Sequence, residues 1–348
     1  MSAWQPGPRN AITDVPGIRV GHYTDRRAAT GCTVILCPTA QAAAVDARGG
    51  APGTRETDVL GLANLVRTCH AILFAGGSAF GLAAAEGVMR WCSEHGIGVP
   101  TTKRPVPIVP AAVIYDLTIG DPYAFPGAHE GYLAAVRARR GTVAEGSTGA
   151  GTGATIAKLL GPERALKGGL GTASLTGPRG FIVGALVVTN ALGSIYDPAT
   201  GECLAAPRGD RPGEFLTLPD TLARRTVAMD PLLAAPTQDP RTAPPSALEN
   251  TTLMCIATNA RLAPEDLQRL AIHAHDGFAR CVVPAHTRGD GDIAFALSTG
   301  ECPATGDDLY LLGTLTSAVV ETAILRAIRL ARGTKQVPAA NEWRPAPA

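Results

Sequence analysis

Thr251 stands at an abrupt change in the chain. An irregular, proline-rich segment runs up to Asn250, and a run with strand character, Thr252 to Ile256, begins directly after it. A hydroxyl at that junction is where a chain could hold a nucleophile that it exposes by cutting itself. A threonine hydroxyl is a poor nucleophile, but once its amide is cut the residue's own α-amine has a reference pKa of roughly 7.7–8.0. That amine can take the hydroxyl proton at neutral pH, directly or through a water. General-base help of this kind is worth about 10²–10⁴ in rate. Two carboxylates, Asp290 and Asp292, flank a glycine 39 and 41 residues further on. In a strand-like turn both could point toward one amine, orienting it and tuning its charge. Asn190 ends an apolar run, where a polar amide is either a turn former or an oxyanion donor.

Other motifs carry less. Gly76-Gly77-Ser78-Ala79-Phe80-Gly81 has the strand, glycine turn and helix layout of a nucleophile elbow, but the residue two after Ser78 is Phe80, so the Gly-x-Ser-x-Gly pattern fails. Gly146 to Gly153 is rich in glycine yet lacks the Gly-Lys-Ser/Thr ending of a phosphate loop, and no clear acidic partner follows about twenty residues on for a dinucleotide site. His273 and His275 suggest a metal pair, but positions i and i+2 of a helix do not share a face. Asp290 and Asp292 could be plain turn formers, and the repeating acidic ligands of a calcium loop are missing. No metal and no cofactor is called for.

The elements that must position these residues belong to one large layered domain over residues 1–348. Hydrophobic residues make up 45% and charged residues 18%, enough for a sizeable core. A net charge of +1 and only 5% aromatics argue against capture of nucleic acid or an anionic membrane. The N-terminus carries no signal sequence and no apolar run reads as membrane-spanning. The eight cysteines are scattered without a Cys-x-x-Cys pair, which reads as buried free thiols in a reducing, cytoplasmic setting.

In order, residues 12–38 read as a hairpin (Ile12 to Val20, then Cys32 to Cys37), followed by a strand at Ala42 to Asp46 and an irregular Arg48 to Gly53. Helices are expected at Thr57 to Thr68, Leu82 to Glu94, His129 to Arg140 (with a basic end), Pro264 to Arg280 and Asp307 to Arg332. Strands are expected at Ala71 to Ala75, Ile108 to Asp116, Phe181 to Val188, Thr252 to Thr258 and Ile293 to Ser298. A proline-rich linker spans 207–250, with a short helical piece at Asp220 to Arg225, and the tail from Val337 to Ala348 reads as frayed. Strands in two groups without regular strand–helix alternation favour an α+β fold, helix layers outside a two-sheet core, over a doubly wound parallel sheet.

Several of these stretches together, Asn250-Thr251-Thr252-Leu253, Ile256-Ala257-Thr258-Asn259-Ala260, His275-Asp276-Gly277, Lys167-Gly168-Gly169-Leu170-Gly171-Thr172-Ala173-Ser174 and Gly184-Ala185-Leu186-Val187-Val188-Thr189-Asn190, resemble the DmpA-type family. That family includes the L-aminopeptidase/D-esterases, the β-peptidyl aminopeptidases and the nylon-oligomer (6-aminohexanoate oligomer) hydrolases. The resemblance runs from about Ile12 to Gly333. It implies an αββα four-layer sandwich of N-terminal-nucleophile-hydrolase type, made as one precursor that cuts itself between Asn250 and Thr251 into an α chain, 1–250, and a β chain, 251–348. Threonine with Asp-x-Asp, in place of the serine and Ser-x-Glu of the peptidase branch, looks like the nylon-oligomer branch. By the resemblance, Thr251 is the nucleophile, Asp290 and Asp292 serve its amine, and Lys167 and Asn190 supply positive charge and an amide N–H to the oxyanion. A single such donor typically contributes about 2.7–4 kcal/mol. Tyr115 is a further candidate donor, while Lys167 read without the motif is a surface lysine before a turn.

The expectation is therefore an amidohydrolase of linear amides, with 6-aminohexanoate oligomers as substrate and a tetramer of αβ units as the assembly. The alternatives are an aminopeptidase of the same family, a non-catalytic protein gripping an anionic ligand with Gly146 to Gly153, and an esterase built on Ser78.

Overall fold

The computed structural model describes residues 4–227 and 250–344. Two sheets lie face to face. The first has the order β2 (Arg19–Asp25), β3 (Thr30–Leu36), β6 (Ala71–Ala75), β7 (Ala111–Val113), β5 (Thr54–Arg55). The second has the order β1 (Gln5–Pro6), β10 (Gly169–Thr176), β11 (Ile182–Asn190), β14 (Thr251–Arg261), β16 (Ile293–Pro303), β4 (Ala42–Ala47). Short strands complete the set: β8 (Thr155–Ile156) pairs β9 (Leu166–Lys167), and β12 (Ser194–Tyr196) lies between β13 (Cys203–Ala205) and β15 (Val282–Val283). Helices α1 (Ala84–Glu94) and α2 (Ala128–Val136) cover the outer face of the first sheet, and α4 (Pro264–Cys281) and α5 (Gly306–Arg329) cover that of the second. A short α3 (Leu218–Val227) and α6 (Ala340–Trp343) lie outside these layers.

Three apolar clusters separate four layers, and the strands feed them by alternation. Along β14, Leu253, Cys255 and Ala257 enter the cluster between the sheets, whereas Met254 and Ile256 enter the one under α4 and α5. Along β6, Ile72 and Phe74 face the other sheet while Ala71, Leu73 and Ala75 face the α1–α2 layer. Strands buried on both faces read as continuous apolar runs, not as alternating ones. The expected αββα sandwich is the fold observed.

Several local expectations are corrected. Residues 57–68 do not form a helix: a 3-10 turn at Asp58–Leu60 stops at Gly61, and Asn64 Nδ2 takes the Asp58 carbonyl that a continuing helix would use. Of the apolar residues expected at helical spacing, Leu60 is buried while Leu62 is 41% exposed, so they form no single buried face. The first hairpin strand starts at Arg19, because Ile12–Asp14 is a 3-10 turn whose Ile12 N–H bonds Thr172 Oγ1 at 2.8 Å. Within 108–116 only Ala111–Val113 is strand. Helix α2 ends at Val136, short of the arginines, because Arg139 leaves to exchange backbone bonds with Val20. The tail is not frayed as far as residue 344. Val337, Ala339 and Ala340 are buried, Lys167 N–H bonds Pro338 O at 2.9 Å, and Trp343 Nε1–H bonds Glu214 O at 2.8 Å. Helix α5, finally, is long and apolar enough by length and composition to cross a membrane, contrary to the sequence expectation. Here it is mostly buried, packed on β10, β11 and α4. Of the expected linker, residues 228–249 lie outside the described residues, as do 345–348.

Candidate active site

Parallel register explains the spacing of the acids. β14 and β16 pair with Leu253 opposite Ile293, and an isolated parallel bridge joins Asn250 to Asp290, so one offset of sequence runs through the junction. Thr251 therefore faces Gly291, and Asp290 and Asp292 flank it from the neighbouring strand entry. On the other side, antiparallel β11 sets Asn190 opposite Thr251. The Thr251 hydroxyl, the Asn190 amide and both acids thus come to one buried point in the second sheet.

The bond preceding Thr251 is surrounded by polar contacts. Thr251 Oγ1 donates to the Asn250 carbonyl, and that same oxygen accepts the backbone N–H of Gly291 at 2.9 Å. Gly291 has to be glycine for space, since a Cβ there would lie 2.7 Å from Thr251 Oγ1 and 2.7 Å from the Ala51 carbonyl. The two acids have different surroundings. Asp292 Oδ1 accepts Thr252 N–H at 2.7 Å, and its Oδ2 accepts His286 N–H at 3.2 Å and faces His286 Nδ1 at 3.0 Å. Asp290 Oδ2 accepts Thr287 N–H at 2.7 Å, but its Oδ1 is buried without a partner. Burial, then the nearby Asp292 charge, push the Asp290 carboxyl up to about 6, with Lys158 pulling the other way.

The irregular Arg48 to Gly53 segment is a strap over this acid loop. Arg48 N–H bonds Asp292 O at 2.9 Å and Ala51 N–H bonds Asp290 O at 2.8 Å. A Cβ at Gly49 would come within 2.3 Å of Asp290 O and 2.4 Å of Asp292 N, so the close approach needs glycine.

Asn190 is held firmly. Its Oδ1 accepts Thr155 N–H at 2.9 Å and Lys158 Nζ at 3.2 Å, and its Nδ2 donates to the Tyr115 carbonyl at 3.3 Å. Tyr115 thus meets the site through its backbone. Lys158 was not singled out in the sequence: it stands alone among apolar neighbours, and only the fold brings it to Asn190. Lys167 is no surface lysine, being 0% exposed. Its ammonium donates to the carbonyls of Thr152 and Ala154 at 2.8 and 2.5 Å, and no hydrogen bond joins it to Thr251 among the described residues. Burial lowers its pKa to about 7 against the opposing pull of Asp116.

The remaining motifs separate from the site. The glycines of 146–153 serve packing: a Cβ at Gly151 would meet Leu170 N at 2.4 Å, and one at Gly153 the Ala29 carbonyl at 2.4 Å, so protein fills the space an anion would need. Ser78 sits at φ +53° at the start of a 3-10 turn, and its hydroxyl bonds no histidine or carboxylate among the described residues. His273 pairs with Asp276 at 3.3 Å while His275 is buried beside Asp46, so the two diverge. Six of the eight free cysteines are buried, and Cys203 and Cys302 are partly so.

Known proteins resemble the chain over nearly its whole length. Residues 10–340 match the model described as Peptidase family S58. An uncharacterized aminopeptidase of Mycobacterium leprae (strain TN) is 45% identical over 342 residues, covering 93% of this chain and 89% of that protein. A 6-aminohexanoate-oligomer endohydrolase of Agromyces sp. (strain KY5R) is 32% identical over 324 residues, covering 90% and 84%. Among solved structures, the L-aminopeptidase D-Ala-esterase/amidase of Ochrobactrum anthropi, a variant of the N-terminal-nucleophile hydrolase fold, superposes with a TM-score of 0.69 at 22% identity, covering 96% of this chain and 92% of that one. A Burkholderia sp. beta-aminopeptidase gives 0.68 at 23%, covering 98% and 93%.

Proposed function

The chain belongs to peptidase family S58, a family of hydrolases acting on amide and peptide bonds, and from that premise we propose that it cuts itself between Asn250 and Thr251 and then hydrolyses linear amides with Thr251 as nucleophile. The observation that carries the reading is the convergence of the Thr251 hydroxyl and the Gly291 N–H on one oxygen, the Asn250 carbonyl.

In the self-cutting step Thr251 Oγ attacks the Asn250 carbonyl carbon and gives up its proton. The carbonyl oxygen takes the charge, and the Gly291 N–H, already in place, stabilises it. Collapse breaks the C–N bond and the departing Thr251 nitrogen takes a proton. Asp290 is suited to both transfers, because its pKa of about 6 lets it accept and return a proton near neutrality. That collapse frees the α-amine and leaves an Asn250–Thr251 ester, which water then hydrolyses to the Asn250 carboxylate and the free Thr251 hydroxyl. In turnover that amine takes the Thr251 hydroxyl proton, Oγ attacks the substrate carbonyl, the amine product leaves, and water clears the acyl ester. Asp292, fixed by Thr252 and His286, holds the loop that serves the amine. Asn190 and Lys158 supply N–H and positive charge toward the substrate oxyanion, a role to which Lys167 contributes by fixing the 152–154 loop behind them.

Substrates are linear amides with a free or extended amino end, 6-aminohexanoate oligomers among them. This rests on the Thr251, Asp290 and Asp292 combination and on the oligomer endohydrolase relatives. The higher identity to the mycobacterial aminopeptidases favours a second reading, removal of N-terminal residues from peptides, and a panel of L-, D-, β- and ω-amino amides separates the two. Maturation is tested on a denaturing gel with N-terminal sequencing. Two fragments are expected, the smaller beginning Thr-Thr-Leu-Met, and a single lasting band at 35.7 kDa would overturn the proposal.

A further inference from the structure

We propose that His286 is a positioning residue for the self-cutting site, acting through Asp292, and that the buried His275 ring backs it. The inference rests on the Thr251 reading above and adds residues to it. His286 Nδ1 lies 3.0 Å from Asp292 Oδ2, the carboxylate whose other oxygen accepts the N–H of Thr252, the residue next to the nucleophile. With Nδ1 as the donor, Nε2 is left as an acceptor, and it is buried without a partner. The His286 ring meets His275 edge-on, with centroids 4.7 Å apart, and also leans on Phe278 of α4 at 5.1 Å. His275 Nε2 lies 3.0 Å from the Asp46 carbonyl of β4, just before the glycine strap. A chain of contacts therefore runs from β4 through His275 and His286 to Asp292 and the backbone at Thr252.

His286 adopts φ +53°, a left-handed conformation in which histidine, asparagine and aspartate are enriched among the non-glycine residues. The ring aims Asp292, and Asp292 sets the angle at which β14 enters the site.

The test exploits the same backbone. His286→Asn and His286→Asp are matched in size and both tolerate this φ, but Asp both lacks the donor and sets a second negative charge against Asp292, so a neutral variant without a donor is made beside them. The rate of Asn250–Thr251 cleavage is followed on gels in freshly made chain. His286→Asn should lose no more than about threefold, the loss of part of one hydrogen bond, whereas His286→Asp should lose about 100-fold through misplacement of the loop. His286→Gly, which also suits this backbone and adds no charge, should show the same loss, and it separates the missing donor from the repulsion that Asp introduces. Equal rates for the donor and non-donor variants would overturn the proposal, as would a wild-type rate in either non-donor. A wild-type chain that never cuts at Asn250–Thr251 would instead remove the underlying reading.

Discussion

Lys158 Nζ lies 3.2 Å from both the backbone oxygen and the side-chain oxygen of Asn190, and Asn190 faces Thr251 across the β11–β14 pair. The same ammonium favours the ionised form of Asp290. Self-cutting should therefore speed up as pH rises through about 6, where the Asp290 carboxyl loses its proton. In Lys158→Met the carboxylate loses a stabilising charge, so the acid limb of the rate–pH profile should move to higher pH. Cleavage rates on gels across the acidic range check this, and a limb that stays put would detach Lys158 from Asp290.

Gly291→Ala places a methyl group against the Thr251 hydroxyl. Gly291 does not have a positive φ, so the backbone tolerates the change and the effect is steric, on Thr251 Oγ1 and the Ala51 carbonyl. Cleavage should slow about 100-fold while the fold survives, read from the gel and from a retained melting transition.

Lys167→Met separates structure from chemistry. It leaves Asp116 buried without its counter-charge and strips two carbonyls of their donor, a loss of about 3–5 kcal/mol. Urea unfolding of the uncut Thr251→Ala chain measures it. The sign with pH is also fixed. Lys167 binds its proton less tightly in the folded chain, at about 7 against 10.5, so folding expels a proton between those values and stability should climb with pH across that window. Lys167→Met should flatten that climb.

Gly49→Ala acts on the strap. Its Cβ would meet backbone atoms of both acids, which cannot yield as a side-chain tip can. Stability should fall by about 1–3 kcal/mol and cleavage should slow together with it, measured by melting and by gel on one preparation.

How much of this could be read from the chain alone depended on how local the cause was. β14 was legible because Leu253 to Ile256 is a short apolar run on both faces, as a strand between two packed layers requires, bounded by threonines and following a proline-rich stretch. The 39- and 41-residue spacing was visible, but its reason, a parallel register that sets Gly291 against Thr251, needed the sheet. Residues 57–68 were misread because Leu60, Leu62 and Val66 mimic helical spacing while Gly61 and the Asn64 side chain break it. Lys158 and His286 were not singled out. A lone lysine in an apolar run and a histidine in a loop acquire meaning only from partners that the fold brings to them, Asn190 across 32 residues and His275 from a helix.

The sheet order has a consequence for the life of the molecule. β14 and β16 lie between β11 on one side and β4 on the other, and both of those neighbours belong to the part of the chain before Asn250. A cut at Asn250–Thr251 would leave two polypeptides woven through a single sheet, so parting them would mean dismantling the sheet. The uncut chain alone would keep the connectivity that brought the strands into this order. Maturation would then erase the folding instructions: the mature enzyme, once heated apart, should not reassemble on cooling, and its endurance would be set by how slowly it unfolds.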